Sequence, residues 1–197
     1  MLRRPLVLGL AAVLVLLVAG GALAATVKVR VEGRTTTLYG KAQPTVSATN
    51  ALQALEAASV AGEFHYVLAT ASFGSYVSQI GKYPSGGSSG WVFKVNGVSP
   101  PVGADQVQLR DGDVVLWYWA TFGPTGGPPT LELRRLRGAC YAVDAVDDRG
   151  ARSRGTRATL VVDGRRIRAP QGRACVGRHT GFVRAVAPNA VRSNAVR

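Results

Sequence analysis

The residues of this chain best equipped for chemistry are aromatic rather than nucleophilic. Val114 to Trp119 reads VVLWYW directly after an Asp111-Gly112-Asp113 turn, and Trp91 opens a second apolar run, WVFKV. With Tyr76 and Tyr83 nearby, Trp91, Trp117 and Trp119 could form a platform on which a flat ligand or a sugar ring stacks, because indole and phenol rings offer rigid faces with one polar tip. The same run also fits a plainer role. Val114, Leu116 and Tyr118 alternate with Val115, Trp117 and Trp119, so both faces are apolar. That suits a central strand covered by a helix on one side and by a loop, the linker or a second domain on the other.

Other chemistry is thinner. GGSSG, Gly86 to Gly90, has the G-x-S-x-G spacing of a nucleophile elbow, and His179 follows downstream. An elbow stands between a strand and a helix, whereas this stretch sits in a polar loop leading into a strand. No catalytic residue is assigned, and the chain reads as a binding protein and not an enzyme. His65 and His179 have no Cys, His or acidic neighbours at ligand spacing, and Asp111 with Asp113 offers too few oxygens for a cation, so no metal site is assigned. An axial contact to a cobalt-like metal is the one coordinating role open to either histidine, His65 before His179.

Two charged features remain. Residues 25 to 130 hold seven Lys/Arg against six acids, net +1, while residues 131 to 197 hold fifteen Arg, no Lys and five acids, net +10. Arg165, Arg166 and Arg168 lie close enough in sequence for a basic patch, with anionic cell-envelope polymers or lipid headgroups as partners; outside a cell, nucleic acid is excluded. Solvated strand faces or codon usage would leave the same arginines.

The setting is extracytoplasmic. Arg3-Arg4, the apolar run Leu6 to Val18 and Ala22-Leu23-Ala24 have the form of a secretory signal over residues 1–24, with an uncleaved anchor as the alternative because Pro5 to Val27 carries no charge. A membrane would then be met only through that segment. In an oxidising compartment the two cysteines, Cys140 and Cys175, are expected to form a disulfide rather than remain as buried thiols.

These side chains need a frame. TVKVRVEG places Val27, Val29 and Val31 on one face and Lys28, Arg30 and Glu32 on the other, the pattern of a half-buried strand, and RTTTLYG can pair back on it. SATNALQALEAASVAG has helical spacing, with Ser47 or Thr49 as N-cap and Gly62 as stop. Strands follow over Phe64 to Ala71, Ser75 to Ile80, from Trp91, and over Val114 to Trp119. The order predicts an α+β domain over residues 25–121, a β-grasp-like mixed sheet with one helix. FGPTGGPPT breaks the pattern as a linker over 122–130. Residues 131–197 then read as a small all-β sandwich closed by one disulfide, with a hairpin about Asp163-Gly164 and two strands broken at Pro188 near the end.

TNALQALEAA, FGSYVSQIG and GWVFKVNGVSPPVGADQVQLRDGDVVLWYW carry a resemblance. Across residues 26 to about 120 the chain resembles a bacterial domain family of unknown function that is similar to the C-terminal domain of transcobalamin and intrinsic factor. That resemblance implies a β-grasp-like fold and a surface that closes over cobalamin or a related corrinoid. In the animal carriers a helical barrel supplies the opposite wall, so it also implies a separate helical partner chain. The NG…DGD pattern is similar, more weakly, to sulfur-carrier proteins, whose terminal Gly-Gly is here the internal Gly126-Gly127. The sandwich is similar to modules of bacterial surface proteins, which makes adhesion to a protein or wall polymer the alternative function.

Overall fold

The computed structural model of the chain describes residues 23–72, 74–124 and 126–197. The proposed signal or anchor, residues 1–24, lies almost wholly outside them. The described chain runs β1 (Ala25–Glu32), β2 (Thr37–Tyr39), β3 (Thr45–Ala48), α1 (Ala51–Ala61), β4 (Tyr66–Ala71), β5 (Gly74–Ile80), β6 (Tyr83–Pro84), β7 (Ser89–Val95) and β8 (Val114–Thr121). It continues through β9 (Thr130–Arg135), β10 (Cys140–Val146), β11 (Arg152–Ser153), β12 (Ala158–Val162), β13 (Arg165–Ala169), β14 (Arg173–Cys175) and β15 (Arg184–Val186). It is mostly β, with one helix and several sheets among the described residues. No described helix is long and apolar enough to cross a membrane.

The first sheet runs β2-β1-β8-β7, with β3 also paired to β1. Its centre is the parallel pair β1–β8, which sets Val29 against Val115 and Val31 against Trp117. One face packs on α1, burying Val27, Val29, Val31, Leu55, Ala58 and Val115. The helix begins one residue beyond the expected caps. Ser47 is taken into β3, and Thr49 bonds the Gln53 side chain instead, so Asn50 is the N-cap, its side-chain oxygen accepting from Gln53 N–H at 2.9 Å. Gly62 ends the helix as expected, its N–H reaching Ala58 O at 2.9 Å.

The opposite face of β1 corrects the sequence reading. Lys28 is exposed, but Arg30 and Glu32 are 3% and 1% exposed, because residues 184–196 lie against them. Glu32 accepts from Arg30 at 3.0 Å, from Arg192 Nε at 2.9 Å, from Thr37 at 2.9 Å and from Arg184. Desolvation lowers the Arg30 guanidinium to about 10, with Glu32 opposing the shift. Leu116, Tyr118 and Ala120 of β8 meet Val191 on the same face.

A second polar joint lies beside it. Lys94 of β7 is fully buried; its ammonium donates to Val146 O at 3.1 Å and Asp147 O at 2.8 Å and pairs with Asp148 at 3.3 Å. Burial lowers its pKa and Asp148 opposes that shift. Lys94→Met keeps the stem but takes the ammonium from Asp147 O and from the Asp148 carboxylate, while Thr130 still donates to Val146 O, so it is expected to cost about 2–3 kcal/mol in urea unfolding.

Residues 130–197 form a β-sandwich-like pair of sheets. One contains β9, β10, β11 and β14, the other β12, β13 and β15. Leu131, Leu133, Tyr141, Val143, Leu160 and Val162 fill the space between. The hairpin about Asp163-Gly164 is present, with both residues at positive φ. After Gly181 the described chain has one strand, β15, and not two. Residues 191 and 196 are held only by single bridges to Thr130 and Val183, because Val191 is spent on the first sheet's face. Cys140 and Cys175 stand directly opposite on β10 and β14 and form the expected disulfide.

Candidate functional site

β7 is a free edge of the first sheet, and this decides where a ligand can reach the aromatic residues. Asn96 N–H bonds Val114 O and Phe122 N–H bonds Ser88 O, so even-numbered residues of β7 face β8 and odd-numbered ones face away. Ser89 and Val95 bond the adjoining turns. The outward backbone groups of Trp91 and Phe93 pair with no other strand among the described residues.

A cleft of about 620 Å³ wraps this edge. It touches both Val92 and Phe93, and both Trp117 and Tyr118, pairs whose members point to opposite faces of the sheet. One wall carries Tyr76 and Val77 of β5 with Leu68 of β4; the other is the Ser99–Gln106 loop, whose Pro100, Pro101 and Val102 turn apolar surface inward. Leu68, Tyr76, Val102 and Phe122 are exposed large side chains at its mouth. The polar groups are few: Ser75, Ser99, Asp105, Gln106 and Asp148, besides the tyrosine hydroxyls. Asp148 is itself committed, accepting from Tyr118 at 3.1 Å, Ser99 at 3.3 Å and Lys94. Burial, then the nearby Asp148 charge, raises the Tyr118 pKa, so that phenol stays a donor. An apolar cleft with a few fixed polar groups suits an organic ring system better than a bare ion.

The five aromatic residues singled out from sequence divide. Tyr76, Trp91 and Trp117 line the cleft. Trp91 and Trp117 do not form an open platform, however: they are 7% and 2% exposed, present only edges, and their indole N–H groups are used on Tyr83 O at 2.8 Å and Ala51 O at 3.2 Å. Both are buried because α1 and the β4–β6 sheet cover their face. Trp119 is half-buried, packs edge-on to Trp91 at 5.8 Å, and lines a different hollow. Tyr83 packs against Trp91 and Trp119 and lines neither; hydrogen bonds from Thr35 and Thr36 lower its pKa. Phe93, stacked on Trp117 at 5.0 Å, and the Pro100-Pro101-Val102 rim were missed. The alternation of WVFKV put Phe93 on the face of Trp91, a signal that was available; the rim's approach to β5 left none.

The basic residues and histidines are placed otherwise than a single patch would need. Arg166 and Arg168 share the outer face of β13, while Arg165 falls with Ile167 on the other and donates to Arg178 O at 3.2 Å. All three are exposed. His65 is exposed beside Gln79 at 3.2 Å, and His179 is held between the Tyr141 hydroxyl and Gly181 O, both at 2.9 Å. Neither lines the cleft. Asp111 and Asp113 serve the turn, accepting from Thr26 N–H at 2.7 Å and Arg110 N–H at 2.8 Å about Gly112, whose φ is +86°. Among the described residues no group of three or more His, Cys, Asp or Glu could hold a metal ion.

Residues 46–121, which contain α1, β8 and the cleft lining except Phe122 and Asp148, match a family described as a domain of unknown function (DUF4430). No curated protein matches the chain. Among solved structures, the chain is similar to a Ruminococcus gnavus ATCC 29149 protein described as a proposed metal-binding protein, at 14% identity and a TM-score of 0.36, over 48% of this chain and 95% of that one.

Proposed function

We propose that the protein is an exported, non-enzymatic binding protein whose β7-edge cleft captures a small, flat ligand. The observation that carries this reading is the cleft itself: about 620 Å³ of space between Tyr76, Trp91, Phe93 and the Pro100–Val102 rim, within the usual range for small-molecule sites of about 300–1,000 Å³. The outward backbone groups of Trp91 and Phe93 would supply the polar anchors. The Cys140–Cys175 disulfide supports an oxidising, extracytoplasmic setting. A β-grasp-like reading of residues 25–121, together with the resemblance to the transcobalamin C-terminal domain, makes a corrinoid the first ligand to try, with a separate helical chain as the second wall.

The test is a titration of the purified protein with cobinamide, followed by tryptophan fluorescence with an inner-filter control. Trp117→Ala would be a poor probe, since Trp117 anchors the start of α1 through Ala51 O. Val102→Asp is better: Val102 is 46% exposed and outside the core, yet a carboxylate there charges the mouth of the cleft. Saturable quenching, weakened by about tenfold or more in Val102→Asp, is expected. Absence of saturable binding to the native protein, or equal binding by the variant, would remove corrinoid capture at this cleft.

A further inference from the structure

The second hollow has a different chemistry. It is larger, about 930 Å³, and lies where the 122–129 segment leaves the first sheet and passes the end of β15. Trp119 and Phe122 supply aromatic surface, and the three ionised side chains that line it, Arg34, Arg166 and Arg192, are all cationic. Among the described residues, no acidic one lines the hollow.

The charge around it is not balanced from within. Glu32 is buried among Arg30, Arg184 and Arg192, one carboxylate facing three guanidiniums. Arg192 belongs to both places: its Nε donates to Glu32, while Nη2 donates to Gly33 O and Thr36 O and Nη1 to Arg34 O. Its charge therefore projects into the hollow only partly compensated. Arg34 and Arg166 are exposed and make no side-chain hydrogen bond or ion pair with any described residue, leaving two planar forks free among the lining residues. A guanidinium fork matches the paired oxygens of a carboxylate or phosphate, and an indole face suits the C–H face of a sugar ring.

We infer that this hollow binds a saccharide bearing a carboxylate or phosphate, the ring against Trp119 and the oxyanion held by Arg34 and Arg166 in the field of Arg192. The site shares only Phe122 with the β7-edge cleft and stands whether or not that cleft takes a corrinoid. It gives Arg166 a role that the intended patch of three arginines does not have.

Isothermal titration of the whole protein would use glucuronate and glucose 6-phosphate as the two charged sugars, with glucose and inorganic phosphate as probes lacking the charge or the ring. Binding of either charged sugar at least about tenfold tighter than of glucose and of inorganic phosphate, and weakened as salt rises, is expected. Which charged sugar binds tighter assigns the oxyanion. Arg166→Gln and Arg34→Gln, both surface changes, should each weaken it by about tenfold or more while leaving the melting temperature unchanged. Equal binding of glucose would show that the arginines are not used, and equal binding of inorganic phosphate that only a free anion is held. Either result, or full affinity in both variants, or no binding of either charged sugar, overturns the inference.

Discussion

Replacing Glu32 by alanine is expected to lower the unfolding free energy by about 3–5 kcal/mol, because it strands buried cations without their counter-charge. Arg30, Arg184 and Arg192 all converge on this carboxylate, and Arg30 is 3% exposed. Arg30 Nε already lacks a hydrogen-bond partner, so the cluster has no spare acceptor to offer once Glu32 is gone. The loss should come with a local signature. Arg184 and Arg192 tie residues 184–193 to β1, so their release should open the joint and bring Arg184 and Arg192 within reach of trypsin before the rest of the chain unfolds. Urea unfolding by circular dichroism, paired with limited proteolysis, measures both. A change below about 1 kcal/mol would mean that the arginines find water instead and that the joint is looser than the distances imply.

Removing the disulfide is the second large effect. The Cys140→Ser, Cys175→Ser double variant frees a loop whose ends are 35 residues apart, which loop-closure entropy values at about 3–4 kcal/mol. The bridge joins the start of β10 to the end of β14 while the sandwich core lies further along β10 at Tyr141 and Val143, so the fold should survive in the reduced protein with a lower melting temperature. Thermal melts with and without reductant, alongside the double variant, read this directly. Equal melting temperatures in all three would show that the bridge adds nothing to stability.

The parts of the fold legible in the sequence were those set by local pattern. The period-two alternation of TVKVRVEG, the helical spacing of Ala51, Leu55, Ala58 and Ser59, and the Asp163-Gly164 turn each depend on neighbours a few residues apart. What stayed hidden depended on distant cover. Arg30 and Glu32 look like a solvent face until residues 184 and 192 arrive, more than 150 positions later. The aromatic strand shows the same limit: alternation told which way Trp117 points, but α1 decides that it is buried, and a covered strand and an open platform have the same spelling. Asn50 displaced the expected caps because β3 claimed Ser47, and that competition is settled by pairing with β1 rather than by cap preference. The cleft was half legible, its β7 and β8 residues from the tryptophans and its Pro100-Pro101-Val102 wall not at all.

The most direct test of the account uses the chain's three tryptophans as separate reporters. Their indole N–H groups give three resonances in a proton–nitrogen correlation spectrum, with Trp91 and Trp117 facing the β7-edge cleft and Trp119 the arginine-lined hollow. Cobinamide is predicted to shift the Trp91 and Trp117 signals and to leave Trp119 nearly still. If cobinamide binds and moves only Trp119, or none of the three, the β7-edge cleft is not the binding site.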